Sequence, residues 1–267
     1  MSFQCPLCHE PLTLTERSYR CSNNHSFDLA KEGYVNLMPV QHKRSKDPGD
    51  NKEMMQARRR FLDLDYYAPL RDKLSQLCSH NSLDATSTIL DIGCGEGYYT
   101  SHIARHVAAN VYGLDISKAM IRQAAKRYDN VQFTVASSHR LPLADASLNA
   151  IIRIYAPCNH QELVRTIADN GIVITVTPAA RHLYQLRELI YDDVRLHDDE
   201  PEIIEGFILE SEEKISYPMH LSGDDAYDLL QMTPFAWKAT EATISQLKAA
   251  QNFTCETEFS VRVYRKG

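Results

Sequence analysis

Ile89-Leu90-Asp91-Ile92-Gly93-Cys94-Gly95-Glu96-Gly97 runs from an apolar stretch straight into a glycine loop that carries acids and no base. A dinucleotide-binding loop needs its third glycine one place later than Gly97 and must seat a pyrophosphate on a helix N-terminus. Asp91 and Glu96 would repel that anion. S-Adenosylmethionine instead brings an ammonium, a sulfonium and a ribose, all suited to carboxylates, while glycines let its methionine half approach the backbone. A helix is predicted from about Tyr98, then a second strand, Val111-Tyr112-Gly113-Leu114, which ends at Asp115, twenty-four residues beyond Asp91. An acid at the end of the second strand accepts ribose hydroxyls in other nucleotide-binding α/β folds. The order strand, loop, helix, strand, acid favours this reading over a glycine turn followed by an unrelated surface aspartate.

Working outward, Val131–Val135, Asn149–Ile154 and Gly171–Thr177 are further apolar, β-branched runs. Five such runs alternating with helical stretches predict a doubly wound α/β sheet, mostly parallel. Asp91, Gly93, Gly95 and Gly97 match the first motif of the class I methyltransferases, and the segment resembles that superfamily. The resemblance implies a Rossmann-like, seven-stranded sheet. Its last strands would be the alternating segments around Lys214–Tyr217 and Phe259–Tyr264, reached after a helical run from Tyr184 to Val194 and the acidic stretch Asp198–Glu202. It also implies an adenine-binding acid about four residues before Leu141-Pro142. Ser137 stands there, so a hydroxyl or backbone group must serve instead.

Cys5-Pro6-Leu7-Cys8 is followed by Cys21 and, four residues on, His25. Two thiolates on one tight turn chelate a metal, and a second pair twelve residues away closes a tetrahedron, the pattern of a structural zinc site. With four protein ligands the ion has no open position and does no chemistry. The competing readings are chance cysteines and a disulfide. Seven cysteines, an odd number, and the lack of an apolar segment before residue 5 favour a reducing cytoplasm.

No apolar run approaches the eighteen or so residues that span a membrane, so no membrane partner is expected. The net charge of −6 is unevenly spread: residues 1–60 hold ten Lys/Arg against seven Asp/Glu, the remainder nineteen against twenty-eight. The basic part is therefore the zinc segment with the polar, Pro/Gly-broken linker His42–Asp50, after which a helix is predicted from about Asp50. Arg58-Arg59-Arg60 on that helix form either a solvated face or contacts to phosphates. The expected division is a zinc-binding RNA-recognition domain over 1–40, a basic linker and helix start over 41–60, and a methyltransferase domain over 61–267.

Several stretches together resemble one family. They are the zinc knuckle, Lys31–Leu37, Asp47–Asp50, Met54–Arg59, the glycine loop, Ser137–Pro142, Ile154–Cys158 and Gln231-Met232-Thr233-Pro234-Phe235-Ala236-Trp237. All are similar to the bacterial 23S ribosomal RNA guanine-N1 methyltransferases, and the likeness spans nearly the whole chain. It implies transfer of a methyl group from S-adenosylmethionine to a guanine in a hairpin of the large-subunit RNA, recognition of RNA by the zinc module, and a homodimer whose cleft holds the RNA. It also implies that Tyr67 lies over the cofactor and that His182 borders the same pocket.

The chemistry follows independently. A sulfonium methyl is already electrophilic, so alignment and exclusion of water dominate. Guanine N1 attacks poorly until its proton is leaving, which asks for an acceptor or a group stabilising O6. Tyr155, His139 and Arg140 are the candidates. Tyr155, after the fourth strand, also suits stacking on an extruded base. Cys158 raises an alternative, since Ala-Pro-Cys resembles the nucleophile loop of RNA cytosine-C5 methyltransferases. Two further alternatives stay open: a zinc-ribbon RNA-binding protein with an inactive cofactor domain, and a small-molecule methyltransferase with a zinc appendage.

Overall fold

The computed structural model describes residues 3–39, 51–81 and 83–267. The linker His42–Asp50 lies outside them. Three short strands, β1 (Thr13–Thr15), β2 (Ser18–Arg20) and β3 (Ser26–Asp28), form an antiparallel meander around the knuckle. The chain then leaves through β4 (Val35–Asn36). Helix α1 (Lys52–Asp63) is capped by Asn51, whose side chain accepts the Met54 N–H at 2.9 Å, and α2 (Ala68–His80) follows.

The doubly wound part comprises β5 (Thr88–Ile92), α3 (Tyr98–His106), β6 (Asn110–Asp115), α4 (Lys118–Arg127), β7 (Gln132–Val135), β8 (Leu148–Ile154), α5 (His160–Thr166) and β9 (Ile167–Pro178). After α6 (Tyr184–Glu188) come β10 (Phe207–Leu221), α7 (Gly223–Gln231), a 3-10 turn at Pro234–Lys238, α8 (Glu241–Lys248) and β11 (Phe253–Lys266). The sheet order is β10-β11-β9-β8-β5-β6-β7-β4. Strands β5 to β9 pair in parallel, and β11 inserts antiparallel between β9 and β10.

Period-two geometry sends Ile89 to one face of β5 and Leu90 and Ile92 to the other, and all three are buried because both faces are covered. On Ile89's face lie Phe61, Leu70, Leu74, Ile152 and Phe259. On the opposite face, Leu90, Ile92, Leu114 and Ile151 share one cluster with Phe3, Leu12, Tyr19, Val35 and Leu37 of the zinc module.

Two expectations differ from what the fold contains. The sheet has eight strands, because Val35 and Asn36 add a parallel edge strand to β7. Residues 3–39 are thus tied to the main sheet through β4. Gln4 N–H donates to the Pro142 carbonyl at 2.9 Å, Leu37 N–H to that of Val135 at 2.9 Å, and Gln132 Nε2 to the Tyr19 hydroxyl at 2.6 Å. The helical run expected to Val194 is five residues long. Asp192 and Asp193 would place negative charge at its carbonyl end, and the Arg187 guanidinium instead donates to the Arg195 carbonyl, drawing the chain off the helix axis.

Candidate functional site

Cys5, Cys8, Cys21 and His25 converge, with all four ligand atoms within 4.8 Å of one another. Cys5 Sγ lies 3.4 Å and Cys21 Sγ 3.5 Å from His25 Nδ1, and Cys8 Sγ lies 3.7 Å from Cys21 Sγ. Bond lengths of about 2.3 Å to sulfur and 2.0 Å to nitrogen give tetrahedral edges of roughly 3.5–3.8 Å, so the donor set fits zinc.

A cavity of about 620 Å³ opens at the carboxyl ends of β5 and β8, where open α/β sheets bind ligands. Asp91, Gly93, Gly95 and Glu96 form one wall, and Ile154 to Pro157 another. Met232 to Phe235 and α1 contribute further walls, with Tyr67, Tyr99, His182 and His197 also on the lining. Gly93 has φ +74°, and a Cβ there would come within 2.7 Å of the Ala156 side chain. Only glycine allows the two loops to touch. Gly97 begins α3 at φ +83°, where a Cβ would meet the Phe133 ring at 2.8 Å.

The loop amides are spent inside the protein. Those of Gly93 and Cys94 donate to the Leu114 carbonyl at 2.8 and 3.0 Å, Gly97's to Cys94 at 2.9 Å, and Gly95's to the Asp115 carboxylate at 3.0 Å. A pyrophosphate would find none of these four donors open. Asp115 also accepts the Ser117 N–H at 2.7 Å, so this carboxylate stands at the end of β6 braced by two amides.

Asp91, only 1% exposed, accepts a 2.5 Å hydrogen bond from Thr100, and burial pushes its carboxyl up to about 7. Glu96 behaves differently. Arg59 grips it at 2.6 and 2.7 Å, so its charge is matched within the protein rather than offered to a ligand. Arg60 likewise holds Asp228 at 2.7 and 2.5 Å, and Arg58 reaches the Met232 carbonyl at 3.4 Å while lining the cavity. Two of the three consecutive arginines therefore fasten α1 to the catalytic half. Their partners lie 37 and 168 residues away, and nothing in the local sequence announces them.

Tyr67 is buried edge-on against Phe61 and Phe259. Tyr155 is 48% exposed and has φ +55°, in the left-handed region. Its hydroxyl is 3.4 Å from His182 Nε2. His182 Nδ1 accepts the Glu258 N–H at 3.2 Å, and burial lowers this histidine to about 3. A neutral ring accepting at Nδ1 carries its proton on Nε2 and directs it at the Tyr155 oxygen.

The other expected residues lie elsewhere. Ser137, His139 and Arg140 are not among the lining residues; Ser137 accepts the His139 N–H at 3.2 Å, and the Arg140 guanidinium contacts His9 of the zinc module. Cys158 is off the cavity too, its thiol donating to the Ser138 carbonyl at 3.1 Å and pushed up to about 11 by burial. A protonated thiol away from the pocket is no nucleophile. Cys94 is buried on the cavity wall, and Cys78 and Cys255 are buried in the core.

A doubly wound sheet with an antiparallel penultimate strand in position, an acidic glycine loop at its switch point and an acid ending the next strand defines a class I S-adenosylmethionine-dependent methyltransferase. Residues 3–46 match the family described as RlmA, N-terminal, and residues 89–170 that described as a methyltransferase domain. The chain is 30% identical, over 99% of its own length and 97% of the other's, to a Bacillus subtilis protein named "Putative 23S rRNA (guanine-N(1)-)-methyltransferase YxjB". It is 28% identical, over 97% and 95%, to the 23S rRNA (guanine(748)-N(1))-methyltransferase of Streptomyces fradiae. The protein belongs to this family of 23S rRNA guanine-N1 methyltransferases.

Proposed function

We propose that this protein transfers the methyl group of S-adenosylmethionine to N1 of a guanine in a hairpin of 23S ribosomal RNA, in the cytoplasm and as a homodimer. The observation that carries the reading is the juxtaposition of the acidic glycine loop with the Tyr155 loop across one cavity, tethered to a zinc module of the same family. S-Adenosylmethionine supplies an electrophilic methyl on a sulfonium. Asp91 is the counter-charge for its ammonium, Asp115 at the end of β6 takes the ribose hydroxyls, and Tyr67 and His182 close the pocket around it. The zinc module and Arg140 face the RNA. Exposed Leu196, Ile203 and Ile208 offer apolar surface to a second copy.

Each of three carboxylates on the wall already has a partner: Asp63 with Arg127, Glu96 with Arg59, Asp91 with Thr100. The wall therefore works by donation rather than by a strong base. His182 Nε2–H polarises the Tyr155 hydroxyl, which donates to O6 and stabilises the charge that builds there as the N1 proton passes to water. Tyr155→Phe is accordingly expected to lower kcat roughly 10- to 100-fold while leaving cofactor affinity within about threefold. Steady-state kinetics with equilibrium binding of S-adenosylhomocysteine separates the two quantities, and an unchanged kcat removes Tyr155 from the chemistry.

The reading is tested by methyl transfer from labelled S-adenosylmethionine to unmodified large-subunit RNA, followed by nucleoside analysis. Label is expected in 1-methylguanosine. Label in another nucleoside overturns the assignment.

A further inference from the structure

Trp237 is the only tryptophan of the chain, and it is 77% exposed. Tryptophan is enriched at binding surfaces, where one side of the ring is apolar and the indole N–H stays wet. The segment that carries it is firmly held. Thr233 caps the turn by accepting the Phe235 N–H at 3.3 Å and donates its own hydroxyl to the Leu230 carbonyl at 2.8 Å. The Phe235 ring packs edge-on to the Tyr191 ring at 6.1 Å, and the Lys238 ammonium sits 4.9 Å over the Tyr191 ring. Trp237 itself makes no ring or cation contact among the described residues and belongs to none of the buried clusters. Its neighbours on either side are thus hydrogen-bonded or packed where the indole is bare. Residues 232–235 line the catalytic cavity, which puts Trp237 two positions beyond its rim.

We propose that Trp237 is a stacking platform for an unpaired nucleobase adjacent to the target guanine. The inference rests on the reading that the substrate is RNA, and adds the surface that grips it outside the cavity. Extruding a guanine into the cavity unstacks its neighbour, and proteins that recognise RNA loops cover such freed bases with aromatic rings. Stacking uses the π-face that every base has, so this contact supplies affinity and leaves sequence choice to the cavity.

A single tryptophan makes the test direct. The full-length, zinc-loaded protein is titrated with an unmodified transcript of 23S ribosomal RNA while tryptophan emission is followed, and separately with S-adenosylhomocysteine. Emission is expected to be quenched by the RNA and unmoved by the cofactor product. Trp237→Ala is expected to raise the KM for RNA on the order of tenfold, with kcat and S-adenosylhomocysteine affinity held, and Trp237→Phe to restore most of the loss. If the wild-type protein methylates the transcript while its emission stays constant, or if Trp237→Ala leaves the KM unchanged, the platform is overturned. Loss of S-adenosylhomocysteine affinity in Trp237→Ala would assign the indole to cavity packing instead, and an emission change driven by protein concentration without RNA would assign it to a second copy of the chain; either also overturns it. Failure of the wild-type protein to methylate RNA at all is a separate result, and sinks the substrate assignment.

Discussion

Cys21→Ser is expected to strip the zinc and lower RNA methylation by at least about 100-fold, while S-adenosylhomocysteine still binds within about threefold of wild type. The three strands around the knuckle are three residues each, too short to hold a loop by their ladders alone. Without the ion, three thiols and an imidazole remain crowded within 4.8 Å. Structural zinc contributes about 10 kcal/mol or more in isolated fingers. Here part of the module stays in place by other means, since Phe3, Val35 and Leu37 pack on the sheet face below Leu90 and Ile92, and β4 is hydrogen-bonded to β7. A net loss of roughly 3–5 kcal/mol is therefore expected, lowering the melting midpoint by about 10 °C. Metal analysis, thermal melting and the two binding assays check this together. Full RNA methylation by a zinc-free variant would show that the module is dispensable for substrate recognition.

Local signals carried most of the reading. The glycine loop and the Cys/His spacing are patterns within a few residues, set by backbone geometry and by metal coordination, and they identify cofactor and ion without knowledge of the fold. Apolar runs placed β5 to β9 because buried parallel strands read as continuous hydrophobic stretches, whereas the final antiparallel pair showed as alternating segments. Strand β4 stayed hidden because two residues show no periodicity. Glu96 could be recognised as an acid of the loop, but not as Arg59's partner, because pairing across 37 residues is a property of the folded chain. For the same reason Arg58–Arg60 read only as a solvated face or as phosphate contacts, and not as fasteners to Glu96 and Asp228. His182's tautomer likewise depends on a backbone amide 76 residues on. Among the proposed catalytic groups, Tyr155 reached the cavity because it follows a strand at the switch point, whereas His139 and Arg140 sit on a connection that turns toward the zinc module.

Asp91→Asn is expected to weaken S-adenosylhomocysteine binding by about 100-fold and at the same time to stabilise the unliganded protein. The carboxylate is almost fully buried with one hydroxyl as its neutral partner, so ionising it is costly, and that cost is why its value rises from 3.8 to about 7. The sign follows from linkage. Because the folded value lies above the unfolded one, the protonated form's contribution is fully present below about pH 4 and is lost as pH rises through about 7. An asparagine keeps the shape without that loss, so at neutral pH the variant should be more stable on the order of 3 kcal/mol, with a melting midpoint that no longer falls across this window. Binding runs the other way. The ligand's ammonium needs the ionised carboxylate, so wild-type affinity is expected to fall about tenfold for each pH unit below 7. It should also decline above about pH 8, where an α-amino group loses its proton. Calorimetric titration of both proteins between pH 5.5 and 8.5 measures this directly. A wild-type affinity independent of pH, or an asparagine variant that binds as well, would mean that Asp91 supports the loop and that the cofactor's charge is met elsewhere. The expected result makes the carboxylate a group whose burial the unliganded fold tolerates at a loss in stability, and whose counter-ion is the methyl donor itself.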